Sequence, residues 1–115
     1  MNVIDRLVEK GVVIHNPQSV WISDDVDEKR IAPGVVIHSG CRIMGKKTLL
    51  LEGAKLGAEA PATVDNCYVG PDAELKGGFY KGAVFLEGAS MGSGAHVREG
   101  TILEEGASGA HTVGL

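Results

Sequence analysis

The sequence is poor in several residue types, and each shortage excludes a class of protein. Aromatic residues make up only 4% of the 115 residues, so a packed core must consist of aliphatic and small side chains. The two cysteines, Cys41 and Cys67, form no CxxC pair, which excludes a disulfide framework and a zinc knuckle. Basic residues are not in excess, because the formal net charge is −4, and this argues against nucleic acid as a partner.

Long apolar runs are missing as well. No uninterrupted apolar stretch approaches the length that crosses a membrane. The N-terminal segment carries Asp5, Arg6, Glu9 and Lys10, a charge pattern unlike that of a signal peptide. The sequence therefore predicts a soluble, cytoplasmic protein with no membrane partner.

Glycine is abundant, with 17 residues, and much of it recurs with a period of six. A glycine and then a small residue stand three and four places after each member of an apolar series, namely Phe85, Met91, Val97 and Leu103. A period of six suits short strands joined by regular corners, since side chains alternate with a period of two in strands and 3.6 in helices. Glycine costs a helix about 1 kcal/mol per residue, whereas at a corner it can adopt a positive φ.

The same period extends upstream, with one shift of the frame near Lys46. The apolar slot is held there by Ile31, Ile37, Ile43, Leu50, Leu56, Val69 and Leu75. The pattern blurs in PATVDNCY. Phe85 follows Leu75 by ten positions instead of six, and we predict that KGGFYKGAV holds four extra residues that bulge out as a loop. A fixed short period of this kind predicts a solenoid of stacked parallel strands about 4.8 Å apart.

The first 30 residues are predicted to form an N-terminal helix and capping segment, and residues 31–115 the solenoid. Asn2 can cap a helix that ends near Gly11. The apolar stripe of this helix would cover the open end of the first coil. We expect Trp21 to anchor the irregular strand that follows. The chain ends at Leu115 in an apolar slot without a cap, so we expect it to be the N-terminal part of a longer solenoid, truncated at its C-terminal end. The alternative is that another chain covers its open edge.

The phrases LGAEAP, VGPDAE and MGSGAH resemble the repeat of the hexapeptide-repeat family, over about residues 31–115. The fold implied by this resemblance is a left-handed parallel β-helix, all-β apart from the short N-terminal helix, in which three units make one triangular coil. The resemblance also implies a homo-oligomer, specifically a trimer.

Within that family, the chain is similar to the acetyltransferase domain of bifunctional N-acetylglucosamine-1-phosphate uridyltransferases. The phrases that carry this resemblance are LVEKGVVIHNPQSVWI, VGPDAELKGG and GASGAHTVGL. It implies that His111 is the general base, that Lys76 stands for a phosphate-binding arginine, and that Arg98 is a looser counterpart of a second basic residue. It further implies acetyl-CoA as donor and a sugar phosphate as substrate. A lysine cannot copy the two-pronged phosphate contact of arginine, and these 115 residues contain no glycine-rich uridine-binding motif of a nucleotidyltransferase domain.

Several residues have simpler alternative interpretations. His111 fits a solvated wall residue as well as a base, and His38 and His96 are expected to point outward. No close pair of histidines exists, so no metal site is predicted. Cys41 occupies a small-residue slot of the core, and no histidine is placed to activate Cys67. The alternative function is therefore a non-catalytic, trimer-forming β-helix scaffold module.

Overall fold

A computed structural model describes residues 2–109 and 112–113. The α-helix α1 (Val3–Glu9) comes first, and two short 3₁₀ helices follow, at Pro17–Ser19 and Glu28–Arg30. The strands are β1 (Val13–Ile14), β2 (Trp21–Ile22), β3 (Val36–Ile37), β4 (Arg42–Met44), β5 (Leu49–Leu50), β6 (Lys55–Leu56), β7 (Ala62–Asp65), β8 (Tyr68–Val69), β9 (Glu74–Leu75), β10 (Gly78–Lys81), β11 (Val84–Phe85), β12 (Ser90–Met91), β13 (His96–Val97), β14 (Ile102–Leu103), β15 (Ser108–Gly109) and β16 (Thr112–Val113).

The helix α1 begins with a capping box. The Asn2 side chain accepts a hydrogen bond from the Asp5 N–H at 2.9 Å, and the Asp5 carboxylate accepts one from the Asn2 N–H. These contacts satisfy N–H groups that a helix N-terminus leaves without partners. Leu7 is fully buried, and Val3 and Ile4 pack partly buried against the core. The sequence therefore predicted both the helix and its cap.

The strands build three parallel sheets that form a solenoid of about five turns. Sheet A contains β1, β3, β6, β9, β12 and β15; sheet B contains β2, β4, β7, β10, β13 and β16; sheet C contains β5, β8, β11 and β14. Successive strands along the chain fall on different sheets, and the coils that begin with β3, β6, β9 and β12 each contribute one strand to every sheet. The first coil meets sheet C only through an isolated bridge between Ile31 and Leu50. This arrangement confirms the fold class predicted from the period of six. Strands β1 and β2 lie within the first 30 residues, and the division of the chain at residue 30 stays a prediction.

The core is a set of aliphatic columns along the inside of the solenoid. Each sheet directs one residue per rung inward, and the fully buried ones include Ile37, Leu56 and Leu75 in sheet A, Ile43, Val64 and Val97 in sheet B, and Leu50, Val69 and Phe85 in sheet C. The predicted small-residue slots are also buried, at Ala54, Ala73, Ala89 and Cys41. The frame shift near Lys46 is taken up at a corner, where the Thr48 hydroxyl donates to the Met44 carbonyl and accepts from the Asn66 N–H.

Two predictions about individual segments are wrong. KGGFYKGAV does not bulge out, because Gly78–Lys81 forms β10 and Tyr80 fills the inward slot of sheet B. The step of ten positions from Leu75 to Phe85 thus consists of two five-residue units, with Tyr80 between them, rather than one unit with an inserted loop. Trp21 is not an anchor either, because it is 47% exposed, with its ring 5.0 Å from the Arg42 guanidinium; its neighbour Ile22 is buried.

None of the helices in the described part of the chain has the length and apolar content needed to cross a bilayer.

Candidate functional site

The outer face of sheet B carries three side-chain rings and one cation in a single column. Side chains alternate between the inner and outer faces along each strand. The outward column of sheet B consists of Trp21, Arg42, Thr63, Phe79 and His96. Phe79 is 37% exposed, and its ring centroid lies 5.2 Å from that of His96 on the next rung. This column is a flat surface with an exposed aromatic ring and a neighbouring imidazole.

A groove runs along the edge where sheet B turns into sheet C. It has a volume of about 310 Å³ and is lined by Phe79, Lys81, His96, Val97, Arg98 and Glu99. A second groove adjoins it and adds Lys47 and Asn66 to the lining, with Lys81 and Glu99 shared between the two. We call the first of these the B–C edge groove. It brings two cations, one carboxylate and two rings together.

Arg98 lies in the B–C edge groove, and Lys76 does not. Arg98 directly follows β13 and is exposed, whereas Lys76 directly follows β9 of sheet A and is half-buried at the opposite edge of sheet B. The main chain fixes Lys76 there, because its carbonyl accepts the N–H groups of Glu59 and Ala60. Lys76 and Lys81 are five positions apart along the chain, a span of at most roughly 16 Å because the chain bends at Gly77 between them. A ligand that touches both predicted residues must therefore lie across the outer face of sheet B.

His111, the predicted general base, lies outside the described residues, and its role stays a prediction. His96 is the histidine that the structure places beside Arg98. The sequence contains a feature that could have predicted the position of His96 beside Phe79. Each of them directly precedes a buried residue of its strand, Val97 and Tyr80 respectively. That feature was missed because the segment around Phe79 was predicted to be a loop.

The other histidines and the acidic residues form no metal centre in the described part of the chain. The rings of His15 and His38 stack 4.8 Å apart at the end of sheet A. No group of three side chains among the described residues has the ligand types and proximity that a metal ion needs.

The two cysteines are unsuited to nucleophilic chemistry. Both are fully buried and free. Burial raises the pKa of Cys67 to about 11 and also raises the pKa of Cys41. Because the thiolate is the nucleophile, thiols that stay protonated near neutral pH are unreactive. Cys41 is a core residue, as its place in a small-residue slot predicted.

Proteins named bifunctional protein GlmU are similar to this chain over most of its length. That of Nocardia farcinica is 33% identical over 103 residues, which cover 90% of this chain and 20% of that protein. That of Streptococcus agalactiae serotype V is 34% identical over 99 residues, covering 84% and 20%. That of Clavibacter sepedonicus is 34% identical over 110 residues, covering 95% and 21%. No family model and no solved structure matches the chain.

The chain thus spans about one fifth of the length of these relatives. Their similarity runs through nearly the whole solenoid, so it covers both edges of sheet B. Together with the parallel solenoid, it confirms the resemblance that the repeat phrases predicted.

Proposed function

We propose, from the homology to a segment of the GlmU proteins and from the parallel β-solenoid, that this chain belongs to an acyltransferase-like protein related to sugar nucleotides. The observation that carries the proposal is the identity of 33–34% along nearly the whole solenoid. The donor would be acetyl-CoA and the acceptor an amino sugar phosphate. A cytoplasmic location belongs to the same proposal.

On this proposal, His111 takes a proton from the sugar amine while the nitrogen bonds to the acetyl carbonyl carbon. The carbon–sulfur bond of the thioester breaks, and coenzyme A leaves as the thiol because its sulfur takes up the proton that His111 removed from the amine. Lys76 and Arg98 contact the substrate from the two edges of sheet B. The outer face of sheet B supports this assignment, because its exposed Phe79 ring lies between those edges and can pack against a sugar ring.

Coenzyme A binding and acetyl transfer test this function. We expect saturable binding of coenzyme A in calorimetry, and acetyl transfer from acetyl-CoA to glucosamine 1-phosphate. A lost general base costs about 100-fold or more in rate, so His111→Ala should lower turnover by that factor and leave coenzyme A binding unchanged. His38→Ala, on sheet A, is the matched control and should keep full turnover. Absence of binding at millimolar coenzyme A would refute the enzymatic proposal.

The outer face of sheet C favours a second candidate, the trimer-forming scaffold module. Its outward column consists of Leu49, Tyr68, Val84 and Ile102, with no charged residue in the register. Ile102 is 60% exposed. An apolar strip of this kind is typical of an association surface, so we propose that copies of the chain pack through sheet C.

Sedimentation equilibrium tests the association. Val84→Lys places a charge in the centre of the apolar column and should convert the proposed trimer to monomers, because an unpaired buried charge is costly. Ser90→Lys, on the outer face of sheet A, is the control and should leave the mass unchanged. A wild-type chain that sediments as a monomer at high micromolar concentration would contradict association through sheet C.

A further inference from the structure

We infer that the B–C edge groove binds the phosphate group of a ring-bearing phosphate ester, with Lys81 and Arg98 as its two positive contacts. Lys81 thereby joins Arg98 in a role that no sequence match indicates. The inference rests on the proposed function only for the kind of ester. The phosphate contact itself follows from the geometry of β10 and β13.

Lys81 and Arg98 occupy neighbouring rungs at the same edge. Tyr80 pairs with Val97 in the register of β10 and β13, and both are buried, so the residue after each of them turns outward. The backbones of Lys81 and Arg98 are therefore about one strand spacing apart, roughly 4.8 Å. Like charges on adjacent rungs repel each other. An anion that both side chains can reach relieves this repulsion.

The carboxylates nearby do not neutralise this pair of cations. Glu99 approaches Lys81 at 3.7 Å, but the two side chains are 72% and 49% exposed, so their pairing is weak. Asp65 is the register partner of Lys81 on the preceding rung, yet it forms no ion pair among the described residues. Arg98 also forms no ion pair there. Its guanidinium, with five donors in a planar fork, suits a phosphate group.

Lys47 adds a further positive charge beside this site. It lines the adjoining groove together with Lys81 and Glu99. The two grooves together are lined by three cations and one carboxylate. Asp65 on the preceding rung adds a second carboxylate. The local field therefore favours an anion although the whole chain has a net charge of −4.

The rings in the groove indicate what carries the phosphate. Phe79 is among the few large apolar side chains of the described residues that are exposed, and it forms one wall of the groove. Its face can pack against a sugar ring or a nucleobase beside a phosphate held by Lys81 and Arg98. The shared chemistry is a phosphate monoester of a cyclic molecule. Whether a sugar or a nucleoside carries it is decided by titration.

Amide chemical-shift titrations of the ¹⁵N-labelled full chain test the inference. The probes are inorganic phosphate, glucosamine 1-phosphate and adenosine monophosphate. We expect shifts at Lys81, Gly82 and residues 98–100 with all three. Lys81→Ala and Arg98→Ala should each weaken phosphate binding about tenfold, since each removes a charge-assisted hydrogen bond. Phe79→Ala should weaken only the two ring-bearing esters, and the tighter of these identifies the carrier.

Three further variants make the result decisive. Lys55→Ala removes an exposed lysine from β6 of sheet A and should leave the titration unchanged, whereas Glu99→Gln should strengthen phosphate binding about two- to threefold by removing the competing carboxylate. Unchanged binding in both Lys81→Ala and Arg98→Ala, with dispersed spectra that show a folded chain, overturns the inference. Loss of binding in Lys76→Ala alone overturns it as well and leaves the proposed function standing. Phosphate binding without coenzyme A binding sustains the inference and refutes the proposed function.

Discussion

Replacing Tyr80 with alanine is expected to lower the free energy of unfolding by about 3–5 kcal/mol, the range for removing a buried aromatic ring. Tyr80 is fully buried in β10, and its ring packs edge-to-face against Phe85, with centroids 5.5 Å apart. Its hydroxyl donates to the Gly77 carbonyl, and burial raises the pKa of Tyr80, so the hydroxyl stays protonated as that donor. Urea unfolding followed by circular dichroism measures the change.

The neighbouring residue supplies the matched control for Tyr80. Phe79 is the same kind of side chain one position earlier, but it points outward and is partly exposed. Phe79→Ala should therefore cost about 1 kcal/mol or less, as surface substitutions do. Equal and small losses for the two variants would mean that residues 78–81 form a loop after all, and the assignment of β10 would fail.

The period of six predicted the core well where every unit has its full length. Leu50, Leu56 and Leu75 fall in the apolar slot by counting alone, and all are buried. Counting did not predict the burial of Tyr80, because two consecutive short units have the same total length as one full unit with an inserted loop. Only the pairing of β10 with β7 and β13 distinguishes the two interpretations.

The candidate site was less predictable than the core for a related reason. The sequence pointed to Arg98 by resemblance, but its neighbours on adjacent rungs depend on how many residues each coil contains. Because one unit too few was counted between Leu75 and Phe85, neither Lys81 nor Phe79 was predicted to lie in the site. Lys76, which the resemblance also indicated, lies at the other edge of sheet B. The sequence shows directly which residue type stands at each position. Predicting which residues are neighbours on adjacent rungs also requires the number of residues in every coil between them.

Gly78→Ala should also destabilise the chain by roughly 3–5 kcal/mol, through backbone strain and steric overlap together. Gly78 has a φ of +104°, where side chains other than glycine are strained. A methyl group there would overlap the carbonyl oxygen of Ala95. That carbonyl accepts the Phe79 N–H at 2.9 Å, so the added methyl would push β10 away from β13. The midpoint of urea unfolding should fall accordingly.

Gly88→Ala separates the two causes. Gly88 has a comparable positive φ of +71°, but the nearest atom to an added methyl group is 3.9 Å away, so only the backbone strain remains. That strain costs about 1–2 kcal/mol, and the difference between the variants measures the overlap with Ala95. Because Lys81 and Arg98 are held by the same two strands, Gly78→Ala should also weaken phosphate binding, whereas Gly88→Ala should not. If both variants lose equal stability, β10 does not press against Ala95, and the groove geometry derived from that contact is wrong.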